Sequence, residues 1–180
     1  MQEILVSLLM GIQDKCDSDR RGTIEGISVG LPEVDEILRG LNPGGVYIVG
    51  GRPGMGKTSF LINITAAVAA DQNLPVAVFS PKTSTEVLAG RLVANVGGVD
   101  RSKIGSAELS DQEWQRITYA LGKLPEAPIF FSDSPRMTSL QICLEAEQLA
   151  KNHGQLGLII VDGFQMLTVD TSNQSLATGL

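Results

Sequence analysis

The residues best suited to chemistry stand together in one short stretch: Gly51, Arg52, Pro53, Gly54, Met55, Gly56, Lys57 and Thr58, with Ser59 following. Their spacing is G-x-x-x-x-G-K-[ST], and each part has a physical reason. Glycines let the backbone take conformations that aim successive N–H groups inward at phosphate oxygens. A helix beginning near Lys57 adds the positive end of its dipole. Lys57 offers a point charge to the β- and γ-phosphates, and Thr58 offers a hydroxyl to Mg²⁺. The ligands this chemistry implies are ATP or ADP with Mg²⁺. A glycine-rich turn with a coincidental lysine would carry the same letters. Here an apolar run precedes the loop and a helical pattern follows it, which is the context the motif requires.

Such a site needs a second anchor for Mg²⁺, a carboxylate at the end of a nearby buried strand. Asp162 ends the apolar run Leu158–Val161 and suits that role; a strand-end aspartate also serves as a plain turn former. Gln165, three residues on, could sense a γ-phosphate or nucleic acid, or be an ordinary surface amide.

The elements around these residues are periodic. Val46–Gly50, Val76–Ser80, Pro128–Ser132 and Leu158–Asp162 are short apolar runs. Helical patterns separate them, from Lys57 to about Ala70, from about Ser84 to Asn95, over Ser110–Leu124 and over Ser139–His153. A shorter one covers Pro32–Leu38, with Pro32 suited to a first turn and Gly40 to a stop. Ser110 with Glu113 three residues on makes a capping-box pattern, and Gly154 stops the last helix. Four apolar runs separated by helices predict an α/β fold, a parallel sheet covered by helices on both faces.

At 180 residues the chain is long enough to bury the core of one domain. Its net charge of -6 and pI near 4.8 argue against a broad basic surface wrapped around nucleic acid, while leaving room for contact through a few local cations. Cys16 and Cys143 have no metal-ligand spacing and read as reduced thiols of a cytoplasmic protein. No apolar run approaches the ~18–20 residues of a membrane span. Met1–Ile12 has Glu3 where a signal peptide would be basic and no cleavage site after it. Ile4, Leu8 and Ile12 instead mark an amphipathic helix, packed on its own domain or on a neighbouring subunit.

With these motifs placed, the sequence resembles the C-terminal motor domain of the bacterial replicative helicases, the DnaB family, from about residue 3 to residue 167. Gly26-Ile-Ser-Val-Gly-Leu-Pro-Glu-Val-Asp-Glu36 with Leu41-Asn-Pro-Gly44 is similar to the family's segment ahead of the phosphate loop. Ser110–Trp114 and Leu124–Pro128 fit the stretch between its second and third strands. Leu158–Leu167 fits its Walker B strand and the glutamine after it. The resemblance implies a RecA-like P-loop NTPase core over 26–167, a linker helix and tether over 1–25, and a loosely ordered tail over 168–180. It further implies a ring-forming homo-oligomer or association with helicase subunits through the leading helix, and single-stranded DNA as a partner.

Two departures stand out. Where the family has Ser-Leu-Glu-Met after its second strand, this chain reads Ser80-Pro-Lys-Thr83, so Lys82 occupies the position of the glutamate that polarises the attacking water. Neither Glu86, expected to pair with Lys82 at i, i+4 spacing, nor Asp133 is an obvious replacement. The family's arginine finger and DNA-binding loops are expected beyond Leu180. Two readings follow: a helicase motor domain or fragment whose hydrolysis is impaired, and a non-catalytic paralogue acting as a nucleotide-dependent assembly or regulatory factor. A RecA-fold recombinase or clock-type ATPase fits Gly26–Gly44 and Ser110–Pro128 less well.

Overall fold

The computed structural model describes residues 24–168, so the expected leading helix and all but the first residue of the expected tail lie outside the described residues. The chain divides into two compact units at the junction of Asn42 and Pro43.

The first unit is organised by a buried carboxylate. Asp35, in helix α1 (Pro32–Leu38), is 4% exposed and accepts hydrogen bonds from Ser28 Oγ at 2.6 Å and the Val29 N–H at 2.8 Å. Pro32 stands in the first turn of α1 as expected. The helix stops at Arg39, which takes a left-handed conformation and donates its N–H to Asp35 O, one residue ahead of the expected stop at Gly40. The returning chain bridges Ile27 to Leu41. A Cβ on Gly26 would lie 2.5 Å from Leu41 O, so only glycine fits that crossing.

In the second unit a three-stranded parallel sheet runs in the order β2-β1-β3, with β1 Val76–Phe79, β2 Ile129–Ser132 and β3 Leu158–Val161. Helix α2 (Lys57–Thr65) follows the glycine loop and continues as a π-helical turn through Ala66–Asp71. Helix α3 (Thr85–Gly97) follows β1, α4 (Arg101–Ser106) and α5 (Asp111–Lys123) lead towards β2, and α6 (Ser139–His153) connects β2 to β3. α4 has no apolar repeat long enough to register as a helix; Asp100 caps it through the Ser102 N–H.

Strand β1 is central and buried at every position, and its pleat separates two layers of core. Ala77 and Phe79 cluster with Met137 and with Ile142 and Ala146 of α6. Val76 and Val78 point to the opposite face and are equally buried. That burial on both sides explains why β1 reads as an unbroken apolar run.

One expected strand does not form. Val46–Gly50 makes no ladder hydrogen bonds among the described residues, and Val46 and Ile48 are 90% and 83% exposed. An apolar run becomes a strand only when a neighbour pairs its N–H and C=O groups. This one, between Gly44-Gly45 and Gly50-Gly51, is not paired with β3, whose ladder joins β1 alone.

The capping boxes are as expected at Ser110 and present also at Thr138. Glu113 closes the first of them. Its carboxylate accepts from Lys103 Nζ at 2.7 Å and from the Ser110 N–H and hydroxyl at 2.9 and 2.8 Å. These donors, Lys103 foremost, hold its pKa at about 2 against the ordinary 4.5. Because the folded value lies below the unfolded one, the contribution is complete above pH 4.5 and is lost as pH falls towards about 2. Thermal melts of the wild type and Glu113→Gln should therefore differ at neutral pH and converge across that acid window. A difference independent of pH would show that the ionised carboxylate is not what closes the box.

Candidate phosphate-binding site

The glycine loop takes the backbone course that its residue types dictate. Gly54 and Gly56 both have φ of 82°, and a Cβ at either would meet nothing within 4 Å, so conformation rather than space demands glycine there. The Met55 N–H closes a turn onto Arg52 O at 3.3 Å. Gly56 stands at the N-terminus of α2, where no side chain caps the helix. Both α5 and α6, by contrast, carry full capping boxes. An uncapped first turn leaves N–H donors directed at whatever anion lies ahead of it.

Lys57 folds back over the loop: its Nζ donates to Gly51 O at 2.7 Å and to Arg52 O at 2.9 Å. The ammonium is thereby held at the mouth of the loop. Thr58, one residue on, donates its hydroxyl to Asp162 Oδ2 at 3.0 Å. Asp162 is 6% exposed and follows β3, its own N–H donating to Phe79 O at 2.9 Å. The sheet therefore places this carboxylate against the phosphate loop across 104 residues of sequence. One hydroxyl and one carboxylate, side by side, suit a Mg²⁺ ion. This metal completes its octahedron with water and substrate phosphates rather than with a full set of protein ligands. Among the described residues no group of three or more His, Cys, Asp or Glu could hold a metal.

The turn after β1 closes the other side. Ser80 is fully buried; its N–H donates to Ser132 O at 2.8 Å and its Oγ accepts the Thr83 N–H at 3.1 Å. Lys82, held between them, is exposed, and Gly163 is close enough that an added Cβ there would meet Lys82 Cβ at 3.3 Å and Cδ at 3.6 Å. The expected ion pair with Glu86 does not form. The i, i+4 rule applies within a helix, and α3 begins only at Thr85, so Lys82 lies outside it. Asp133 is also committed elsewhere, its carboxylate accepting the Thr85 N–H at 2.7 Å at the start of α3.

Gln165 lies exposed on the 3-10 turn Phe164–Met166, and no hydrogen bond joins it to the loop. Arg52, Pro53, Met55 and Ser59 are exposed around the loop, with Met55 at 72%. Sequence reasoning missed the structural use of Asp35 and Asp133. A signal existed for each: an acidic residue among apolar helical positions, and an aspartate directly after a strand and facing a helix start.

Residues 26–178 match the family model described as the DnaB-like helicase C terminal domain. The replicative DNA helicase DnaB of Nostoc sp. is 35% identical over 162 residues, 89% of this chain and 18% of that protein. The replicative DNA helicase DnaB of Geobacillus stearothermophilus is 32% identical over 149 residues, 83% of this chain and 33% of that protein. The chain thus spans a third or less of the length of these relatives. A solved structure of a DnaB-like replicative helicase, described with its interactions with primase, superposes with a TM-score of 0.83 at 22% identity, covering 96% of this chain and 41% of that one. A solved structure described as the ATPase domain of G40P superposes with a TM-score of 0.82 at 22% identity, covering 96% of this chain and 60% of that one. The RecA-like α/β fold expected from the sequence is the fold of these domains.

Lys57→Ala is expected to abolish binding of ATP and ADP in isothermal calorimetry while leaving the far-ultraviolet circular dichroism unchanged. Equal binding by the variant would remove the loop from the site.

Proposed function

Because the chain belongs to the DnaB-like helicase C-terminal domain family, we propose that it binds ATP or ADP with Mg²⁺ as the motor domain, or a part of the motor, of a replicative DNA helicase. The observation that carries this reading is the hydrogen bond from Thr58 to Asp162, which brings the phosphate loop and the strand-end carboxylate to one point. Thr58 and Asp162 would hold Mg²⁺. The loop backbone from Gly51 to Gly56, with Lys57 and Ser59, would hold the phosphates. Bound Mg²⁺ supplies charge neutralisation at the β- and γ-phosphates.

Each residue's task follows from its place. The N–H groups of the loop and of the first turn of α2 orient the phosphate chain. Lys57 is poised to exchange its loop carbonyls for phosphate oxygens, a move that needs only side-chain rotation. Asp162 serves as a metal partner rather than as a base, since its Oδ2 already accepts from Thr58. Gln165, exposed on the turn after Asp162, would sense the γ-phosphate or nucleic acid.

Hydrolysis is where this chain departs from its family. The position that carries the water-polarising glutamate in the resemblance carries Lys82, a cation that cannot accept a proton from water. Loss of a positioned base costs ~10²–10⁴-fold in rate. An arginine finger from elsewhere in an assembled ring would be worth a further ~10³–10⁵-fold. Lys82 also supports a second reading: a helicase-like paralogue that binds nucleotide without turning it over and acts as an assembly or regulatory factor. In either reading the chain acts in the cytoplasm and pairs with further copies or helicase subunits through its leading helix. Contact with single-stranded DNA is weak from this chain alone, given its net charge of -6. No helix among the described residues is long and apolar enough to cross a membrane.

The purified chain should bind ATP yet turn it over very slowly, and Lys82→Glu should raise steady-state turnover at least ~10-fold. Robust turnover by the unmodified chain would show that the catalytic base lies elsewhere. An unchanged rate in Lys82→Glu, with binding intact, would show that Lys82 is not the limiting defect.

A further inference from the structure

Lys82 has a second consequence besides removing a base. The turn that carries it is rigid: Ser80 is buried and hydrogen-bonded at both its N–H and its Oγ, Pro81 is buried, and Asp133 holds the start of α3 directly behind. The Lys82 side chain runs over Gly163, the residue after Asp162, at the carboxyl ends of two adjacent parallel strands. That end of a parallel sheet is where ligands of α/β folds sit. Among the described residues Lys82 makes no ion pair and no hydrogen bond, whereas Lys57, Lys103 and Lys123 all do. Gly163 is what lets the stem lie so close, since a side chain there would crowd it at 3.3 Å. A cation without a partner, lying over the residue next to Asp162, whose carboxylate meets the phosphate loop through Thr58, is placed to attract the most distant and most highly charged phosphate.

We propose that Lys82 is a second cationic ligand for the terminal phosphate of the bound nucleotide, making this site selective for the triphosphate over the diphosphate. The inference rests on the nucleotide-binding reading above and deepens it: the base of a hydrolytic site is replaced by a clamp that retains the unhydrolysed nucleotide. A charge-assisted contact that only the γ-phosphate can make adds affinity for ATP and none for ADP. Its charge is a point charge on a flexible stem, so arginine can reproduce the attraction and alanine cannot.

Calorimetric titrations of the full chain with ADP and with the β,γ-imido analogue of ATP, each with Mg²⁺, test this without any dependence on turnover. Wild type should prefer the triphosphate analogue. Lys82→Ala should weaken the analogue about ten- to a hundred-fold and leave ADP unchanged, and Lys82→Arg should recover most of the loss. No change in Lys82→Ala, or an equal loss for both nucleotides, would overturn the clamp while leaving the nucleotide site standing. Absence of binding of either nucleotide by the wild type would overturn the nucleotide reading, and the clamp with it.

Discussion

A hydroxyl and a carboxylate 104 residues apart in sequence meet at 3.0 Å, and the arrangement of the site depends on that contact. Thr58 belongs to the first turn of a helix whose start is set by two glycines at positive φ. Asp162 belongs to the end of an edge strand whose position is set by its ladder with β1. Neither local geometry determines the other. The parallel register, with Phe79 opposite Val161, carries Asp162 one residue past the sheet, where its backbone is still held by Phe79 O. A buried carboxylate is costly unless it is hydrogen-bonded, and the threonine hydroxyl meets part of that requirement. A metal partner would meet the remainder.

The same sheet end also controls the turn after β1. Ser80 extends the ladder to β2 through Ser132 O, then uses its hydroxyl to tighten the turn onto Thr83. Asp133, following β2, accepts the first N–H of α3, the helix after β1. Ser80 and Asp133 are thus spent on backbone donors, because orphan N–H groups at a helix start or a buried turn must find acceptors. Lys82, between them, has no such obligation. Its stem lies against Gly163, whose lack of a side chain leaves room for it.

The match over residues 26–178 identifies a DnaB-like motor domain. The loop and the strand-end carboxylate explain why such a domain would bind nucleotide. Lys82 lies in the turn after β1, apart from the cradle, and the cradle and the base are distinct parts of a P-loop site. Stability and chemistry are divided likewise. The core of β1 and α6 supplies the burial that holds the sheet, while the phosphate loop stays exposed and uncapped.

What the sequence determined by itself was local. The phosphate loop, helix Ser139–His153, the capping box at Ser110 and the apolar runs of β1, β2 and β3 are all legible because each depends on residues a few positions apart. Asp162 was legible as a strand-end carboxylate, but its burial and its hydroxyl partner were not. Tertiary structure decided the strand order β2-β1-β3, the exclusion of Val46–Gly50 from the ladder, the use of Asp133 as a helix cap and the course of Lys82 over Gly163. Apolar content marks a segment as fit for burial. Whether it becomes a strand depends on a partner's unpaired N–H and C=O groups, and whether a charged side chain meets a helical neighbour depends on where the helix begins. Both are set by contacts remote in sequence, which only the folded chain brings together.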